Sequence, residues 1–575
     1  MAFQISPGVN YSEVDLTTVV PSVLTTAGAF AGTFKWGPAQ KRIQVDSEIT
    51  LVNKFGTPDS NSATSFFTAA SFLAYGNNLS VVRAVGSGAR NARANTAAAA
   101  LQIANEDVFQ AAYLTGAAGS SIGPVIARYP GALGNSLTVS FCDAASQFAT
   151  WNVTTVTGTV IPLTTYFNGA PGTSAQAVAA GALFDELHAV VIDTSGAFSG
   201  VKNAVLEIFP YLSKASDATD ALGNSNYYKN VIYNNSKYVY AVDPLTTSAS
   251  YNTWGKPLAN TTFHTSAQSS DYVLVGGSDD APSTANTQTA YGLFANADEV
   301  DVSLVITGDA NIATQQYVID NIANSRKDCL AFISPPSANV INQAGNETTN
   351  ISAWNTALGR STSYAVADSG WKYMFDKYSN TYRWVPLNGD IAGLCVYTDS
   401  VRDPWFSPAG FNRGNLKNVV KLAWNPTKTN RDTLYAQGVN PVGTFPGNGT
   451  VLYGDKTLQT KPSAFDRINV RRLFIVLEKA ISQAAKFSLF EFNDETTRAQ
   501  FVGLVTPFLR DIQGRRGIYD FRVVCDTTNN TSQVIDANQF VGDIYIKPAR
   551  SINFIQLNFV AVRTGVDFTE VVGRF

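Results

Sequence analysis

A change of hydrophobic period in the last quarter constrains the fold of this chain more than any other feature. Beyond Asp466, apolar residues recur at Val470, Leu473, Leu477, Ile481 and Ala484. Steps of three and four place them on one helix face. Arg471, Arg472, Glu478, Lys479 and Lys486 stay mostly off that stripe. A second helical pattern follows Asn493-Asp494-Glu495, with Phe501, Leu504, Phe508 and Ile512 on one side. Asn493 or Asp494 is suited to cap its free N–H groups. Pro507 predicts a kink, and Gly514 and Gly517 predict a stop. The period then falls to two. Ile518 to Cys525, Ile544 to Lys547 and Ile552 to Val562 read as strands. Val566 to Val572 is one more extended piece. Helices followed by strands predict a two-layer α+β domain here.

At 575 residues the chain is too long for one core, and three or four domains are expected. Charged residues make up only 15%, and Ser, Thr, Asn and Ala fill the gap. Such a surface suits contact with other protein, and equally suits a polar soluble one. The net charge of -3 argues against bulk attraction to nucleic acid or to an anionic membrane. Cys142, Cys329, Cys395 and Cys525 lie far apart with no C-x-x-C pair, which argues against a disulfide framework and against a cysteine zinc site. No signal peptide and no long apolar run is apparent, so the chain reads as one that folds in a cytoplasm.

Residues 1–20 carry one short extended piece, Ser6 to Val14, too small to bury a face alone. Val23 to Phe34 is small and apolar and turns at Trp36-Gly37-Pro38. Ser62 to Tyr75 has helical spacing and ends at Gly76. Leu79 to Val85 is a strand. Near Ala89 to Ala104 the composition shifts to Ala, Asn and Arg, which marks a boundary. Residues 105–265 are rich in Gly, Ser and Thr, with short strands such as Leu137 to Phe141 and Val153 to Val160. They read as an inserted, mainly β domain. From Asp271 strand and helix alternate: Tyr272 to Val275, Val302 to Ile306 and Cys329 to Ile333, with helices over Thr287 to Phe294 and Ala313 to Asn324. That is a parallel β-α-β-α-β pattern, completing the domain begun at Ser22. Trp371 to Trp384 reads as a hairpin of alternating aromatics. The expected organisation is an arm at 1–20, a discontinuous α/β domain at 21–104 and 266–370, an insertion at 105–265, a C-terminal domain at 371–562 and an arm at 563–575.

Catalytic chemistry has little to hold. His188 and His264 are the two histidines, each isolated, and read as ordinary surface or core residues. Gly449 to Thr457 nearly spells a phosphate loop, but Asp455 separates Gly454 from Lys456. Gly276-Gly277-Ser278-Asp279-Asp280 follows a strand yet lacks the third glycine of a dinucleotide loop. The acidic residues Asp279, Asp280, Asp298, Glu299 and Asp301 have no calcium-loop spacing. No catalytic residue, metal site or cofactor is expected. From Lys461 to Arg522 eleven Lys/Arg face seven Asp/Glu, +4 in a chain of -3. That is either a solvated helix face or a basic surface aimed at an acidic partner.

Several motifs share one order and spacing. They are Ile468-Asn469-Val470-Arg471-Arg472-Leu473, Phe490-Glu491-Phe492-Asn493, Gly514-Arg515-Arg516-Gly517, Ile546-Lys547-Pro548 and Phe554-Ile555. Ser407-Pro408-Ala409-Gly410, Gly438-Val439-Asn440 and Gly454…Thr457-Leu458 precede them. Gly37-Pro38, Phe55-Gly56 and Val82-Arg83 lie near the start. Together these resemble the contractile tail sheath proteins of myophages, over the first eighty-five residues and roughly residues 270–575. The resemblance is weaker in the insertion, at Tyr129-Pro130-Gly131 and Asp185-Glu186-Leu187-His188.

The resemblance implies a structural subunit, not an enzyme. Copies would stack as rings around a tail tube and contract to drive it through the host envelope. It implies contacts with further copies of the chain, the tail tube protein, and baseplate and tail terminator proteins, without direct nucleic acid or membrane insertion. Assembly would occur in the host cytoplasm and the product would reside in the virion. Both termini are short and extended, so Val9, Tyr11, Val14, Val566, Phe568 and Val571 are expected to pair into neighbouring subunits. Arg471, Arg472, Lys479 and Lys486 are expected to face the tube. The sheath of a phage-tail-like bacteriocin or of another contractile injection system is the alternative. A nucleotide-dependent α/β enzyme using the Gly276 or Gly449 loop is the reading from another class.

Overall fold

The computed structural model describes residues 23–94, 100–114, 123–154, 158, 160–242, 253–266, 270–553 and 555–556. These form a mixed α/β multidomain chain. By internal contacts it divides into two compact units. The larger holds Ser22–Pro404 and Pro408–Ala480. The smaller holds Trp405–Ser407 and the described residues from Ile481 onward.

A seven-stranded sheet organises the larger unit. Its order is Val439–Asn440, Ala365–Asp368, Leu330–Ile333, Leu304–Ile306, Gly28–Gly32, Leu79–Arg83 and Arg42–Val45. All neighbours are parallel except the last pair. Parallel strands need covering on both faces, and alternation along each strand supplies two different faces. Phe30, Leu304, Ile306, Leu330, Phe332 and Val366 point to one side, among helices Ala63–Leu73 and Asn388–Val401. Ala29, Ala31, Val305, Ala331, Ala365 and Ala367 point to the other, against Tyr291, Val318, Ile351 and Trp354. Large side chains fill one layer and small ones admit aromatics on the other. Strands Gly28–Gly32 and Leu79–Arg83 therefore share one sheet with strands that come after residue 300.

Two expectations need correction. The strand–helix alternation places Tyr272 to Val275 in the parallel sheet. The strand is Ser270–Val273, and it pairs antiparallel with Leu137–Cys142. It is the outer strand of the inserted sheet, whose other members are Glu186–Asp193 and Ala204–Ser213. A short apolar run reveals a strand, but its partner is chosen by tertiary packing. Nor does the fold divide at 371. The hairpin Trp371–Asp376 and Thr381–Pro386 belongs to the larger unit, and Val439–Asn440 extends its main sheet.

The smaller unit carries the helix Glu495–Gly514 and the antiparallel pair Ile518–Val524 and Asp543–Pro548. Asp494 caps the helix, accepting from the Thr497 N–H at 2.8 Å. Pro507 sits inside it. Beyond Gly517, where a side chain would strike Ile512 and Trp405, the chain turns into its strand. The Trp405 indole donates to the Arg515 carbonyl at 3.1 Å, which ties Trp405 to that turn. The strand expected over Ile552 to Val562 does not form at its described residues, and the remainder lies outside them.

Candidate functional site

The candidate arms cannot be placed: Val9, Tyr11, Val14, Val566, Phe568 and Val571 all lie outside the described residues. A candidate acceptor can. The pair Ile518–Val524 and Asp543–Pro548 stands as a two-stranded sheet that takes no third strand among the described residues. Tyr519 and Tyr545 are exposed on it. An unpaired strand edge presents a row of N–H and C=O groups to any extended chain.

The four basic candidates separate. Helix Ile468–Ala485 forms as predicted, but its first three turns are buried on nearly every side. Arg472 is buried and grips Asp399 with two bonds of 2.8 and 2.6 Å. Thr25 Oγ1 donates to the same carboxylate at 2.7 Å. Arg471 is buried too. It donates to the Tyr364 hydroxyl at 2.7 Å and lies over the rings of Tyr364 and Phe465. Burial lowers its affinity for its proton, with the Tyr364 and Glu478 side chains opposing. Lys479 pairs with Asp301. These three cations are therefore engaged inside the subunit. An apolar stripe shows one buried face of a helix and is silent about what covers the others. Lys486 is exposed.

Beside Lys486 in sequence stands a surface that sequence reasoning missed. Phe487, Leu489, Phe490 and Phe492 are all exposed between the two helices of the C-terminal stretch, and Phe490 has φ +70°. The signal was present: four large apolar residues in six, outside either helical period. Exposed apolar clusters of this kind mark contact surfaces.

The loops considered for nucleotides are occupied by the fold. Gly449–Leu452 pairs with Val442–Phe445 as a hairpin, and Asp455 is buried. Gly276 follows a bridge between Arg93 and Val275. His188 is a core histidine: its Nδ1 accepts from the Tyr211 N–H, and its ring stacks 4.4 Å from Phe167. Burial lowers its pKa. The four cysteines are buried and free. Among the described residues no cluster of His, Cys, Asp and Glu is arranged to hold a metal, and no helix is long and apolar enough to cross a membrane.

Comparison with known proteins decides the family. Residues 460–561 match the phage tail sheath C-terminal domain, and residues 284–458 match the phage tail sheath central domain. Residues 25–84 match the N-terminal region of domain III of the tail sheath protein Gp18. The tail sheath protein of Vibrio phage KVP40 is 36% identical, over 99% of this chain and 100% of its own length. That of Enterobacteria phage T4 is 34% identical, over 99% of each. The chain belongs to the phage tail sheath family. It is a structural component of a contractile phage tail. Among solved structures, the sheath tail protein of Listeria innocua shares the fold, with a TM-score of 0.52 at 11% identity over 93% of this chain and 97% of that one. So does the sheath of an extracellular contractile injection system in its contracted state, with a TM-score of 0.51 at 13% identity over 99% and 100%. Residues 85–283 fall between the matched sheath domains, and they contain the whole inserted sheet.

Proposed function

We propose that copies of this sheath protein link through extended terminal arms into a tube of stacked rings, and that contraction follows from their repacking. The observation that supports this reading is the pair Ile518–Val524 and Asp543–Pro548, which takes no third strand among the described residues. The sequence of residues 6–14 and of 565–572 predicts short extended segments, and an isolated strand cannot offset its own ordering entropy. A neighbour's sheet edge can accept them. Weak links repeated round a ring reinforce one another through effective concentration. Work then comes from new contacts between subunits, without nucleotide hydrolysis. The tube-facing surface is the exposed stretch at Lys486, where a cation is flanked by Phe487, Leu489 and Phe490. Baseplate and terminator proteins are the remaining partners, and the insertion faces outward.

Electron microscopy of the purified protein tests the linkage. Wild type should form long hollow tubes. Phe568→Pro removes one ladder N–H without adding charge, and deletion of Gly565 to Phe575 removes the arm. Each variant should melt as wild type does and form no tubes. Tubes from the truncated protein would refute the arm, and a truncated protein that cannot fold would place that strand in its own subunit's core.

A further inference from the structure

Three buried ionisable side chains converge at one end of the inserted sheet. Asp143 follows the strand Leu137–Cys142, Asp185 precedes Glu186–Asp193, and Lys214 follows Ala204–Ser213. The middle strand pairs with both others, so Asp185 stands between the strand of the lysine and that of Asp143. Lys214 and Asp185 have no exposed surface and Asp143 has 2%. Lys214 Nζ donates to the carbonyls of Asp143 at 2.9 Å and Phe184 at 2.8 Å. The Trp254 ring covers it at 5.3 Å. Those two acceptors use both N–H bonds of a neutral amine. An ammonium would have a third, yet the carboxylate oxygen Asp143 Oδ2 stands 3.8 Å away, in contact but beyond hydrogen-bond reach. The carboxyl of Asp143 accepts instead from the Ser266 N–H at 3.2 and 2.9 Å and from the Gln147 amide at 2.9 Å. Burial brings Lys214 down to about 8, although Asp143 and Asp185 pull it upward. A neutral amine is thus within reach near neutral pH.

We infer that Lys214 and Asp143 join in an intramolecular isopeptide bond. The Nζ lone pair, left free by the two carbonyl contacts, attacks Asp143 Cγ. The Ser266 N–H and Gln147 amide stabilise the charge that develops on the carboxyl oxygen. The tetrahedral intermediate then expels one carboxyl oxygen as water, which carries away one proton from the amine and the proton of the carboxyl. Amine and carboxylic acid give amide and water. Starting from ammonium and carboxylate the atom count is the same, and no oxidant or cofactor enters. The step removes two charges from a site where their desolvation is costly and leaves a neutral amide. Asp185 is a positioning residue. Its carbonyl accepts from the Lys214 N–H at 2.7 Å, and its carboxylate accepts from the Ser213 hydroxyl at 3.0 Å. The bond clasps two strands across a third and closes one end of the inserted sheet.

Mass spectrometry of the purified full-length protein tests this directly. The intact mass should fall below the sequence mass by one water. Trypsin should fail to cut after Lys214 and should release a branched peptide joining it to Asp143. Lys214→Met should restore the missing water. A wild-type protein that is folded, cut after Lys214 and of full sequence mass overturns the proposal, as does a water loss mapped to another pair. If Lys214→Met does not fold, the wild-type peptide map alone decides.

Discussion

Asp368 sits where the parallel strands end, buried and bonded at both carboxyl oxygens. Ser334 Oγ donates to one at 2.6 Å and the Gly370 N–H to the other at 2.9 Å. Burial dominates these bonds and raises its pKa to about 8, with the nearby Asp390 adding to the rise. Asp390 is itself buried against Lys372 at 2.8 Å. Folded Asp368 keeps its proton where the unfolded chain, with a carboxyl pKa of about 3.9, has lost it. The folded state binds more protons between about pH 4 and about pH 8, so stability falls as pH rises across that window. Asp368→Asn is neutral throughout. Its urea midpoint should match that of wild type near the acid end of the window and exceed it at the alkaline end. Equal midpoints at both ends would mean that Asp368 is ionised throughout. Individual residues were legible where their role is local. Cap chemistry narrows the helix start to Asn493 or Asp494, and the structure selects Asp494, whose partner is three residues away. The destinations of Arg471 and Arg472 were not legible, because Tyr364 and Asp399 are remote in sequence and only the fold brings them near.

Helix Asn388–Val401 shows why one class of element escapes periodicity. Alternating aromatics mark the neighbouring hairpin, whereas no helical period marks this stretch. The helix is buried on almost every face, so it has no polar side to set a period. Its partner is helix Ala63–Leu73, and glycines set their separation. A side chain at Gly389 would meet the Thr68 carbonyl oxygen at 2.5 Å, and one at Gly393 would meet the Tyr75 ring at 2.4 Å. Alanine usually favours a helix over glycine by about 1 kcal/mol. Here the clash reverses the sign, because a backbone oxygen cannot move aside. Gly389→Ala should destabilise by about 1–3 kcal/mol in chemical denaturation. Gly503, inside the helix Glu495–Gly514, has nothing within 4 Å of a built side chain. Gly503→Ala should therefore be neutral or stabilising. If both substitutions shift stability the same way, close approach is not what holds glycine at Gly389.

For the whole molecule, the presence of an inserted sheet was legible, but its seam was not. Composition placed the insertion at 105–265, whereas its sheet also takes Ser270–Val273. Composition tracks loops and surface, and a seam lies where backbone segments meet. That seam is visible between Arg93 and Val275, which exchange N–H···O=C bonds of 2.9 and 3.0 Å. Arg83 reaches across from the main sheet, donating to the carbonyls of Phe34 and Gly37 in the core and of Pro130 in the insertion. Trp36 packs against Tyr129 and Phe198 on the inserted side. Excision therefore has a right and a wrong register. Removing 105–265 alone leaves Ser270–Val273 without Leu137–Cys142, an orphan strand edge that invites aggregation. Removing 95–273 instead, with a short Gly-Ser bridge from Ala94 to Leu274, joins ends that already lie side by side. Trp36→Gln removes the indole that loses Tyr129 and Phe198, and Arg83 keeps its core carbonyls. If the insertion faces outward and takes no part in ring contacts, the second excision should give soluble protein that forms tubes visible by electron microscopy. The first should give aggregates. A soluble, cooperatively melting product of the second excision that never forms tubes would make the insertion part of the assembly surface.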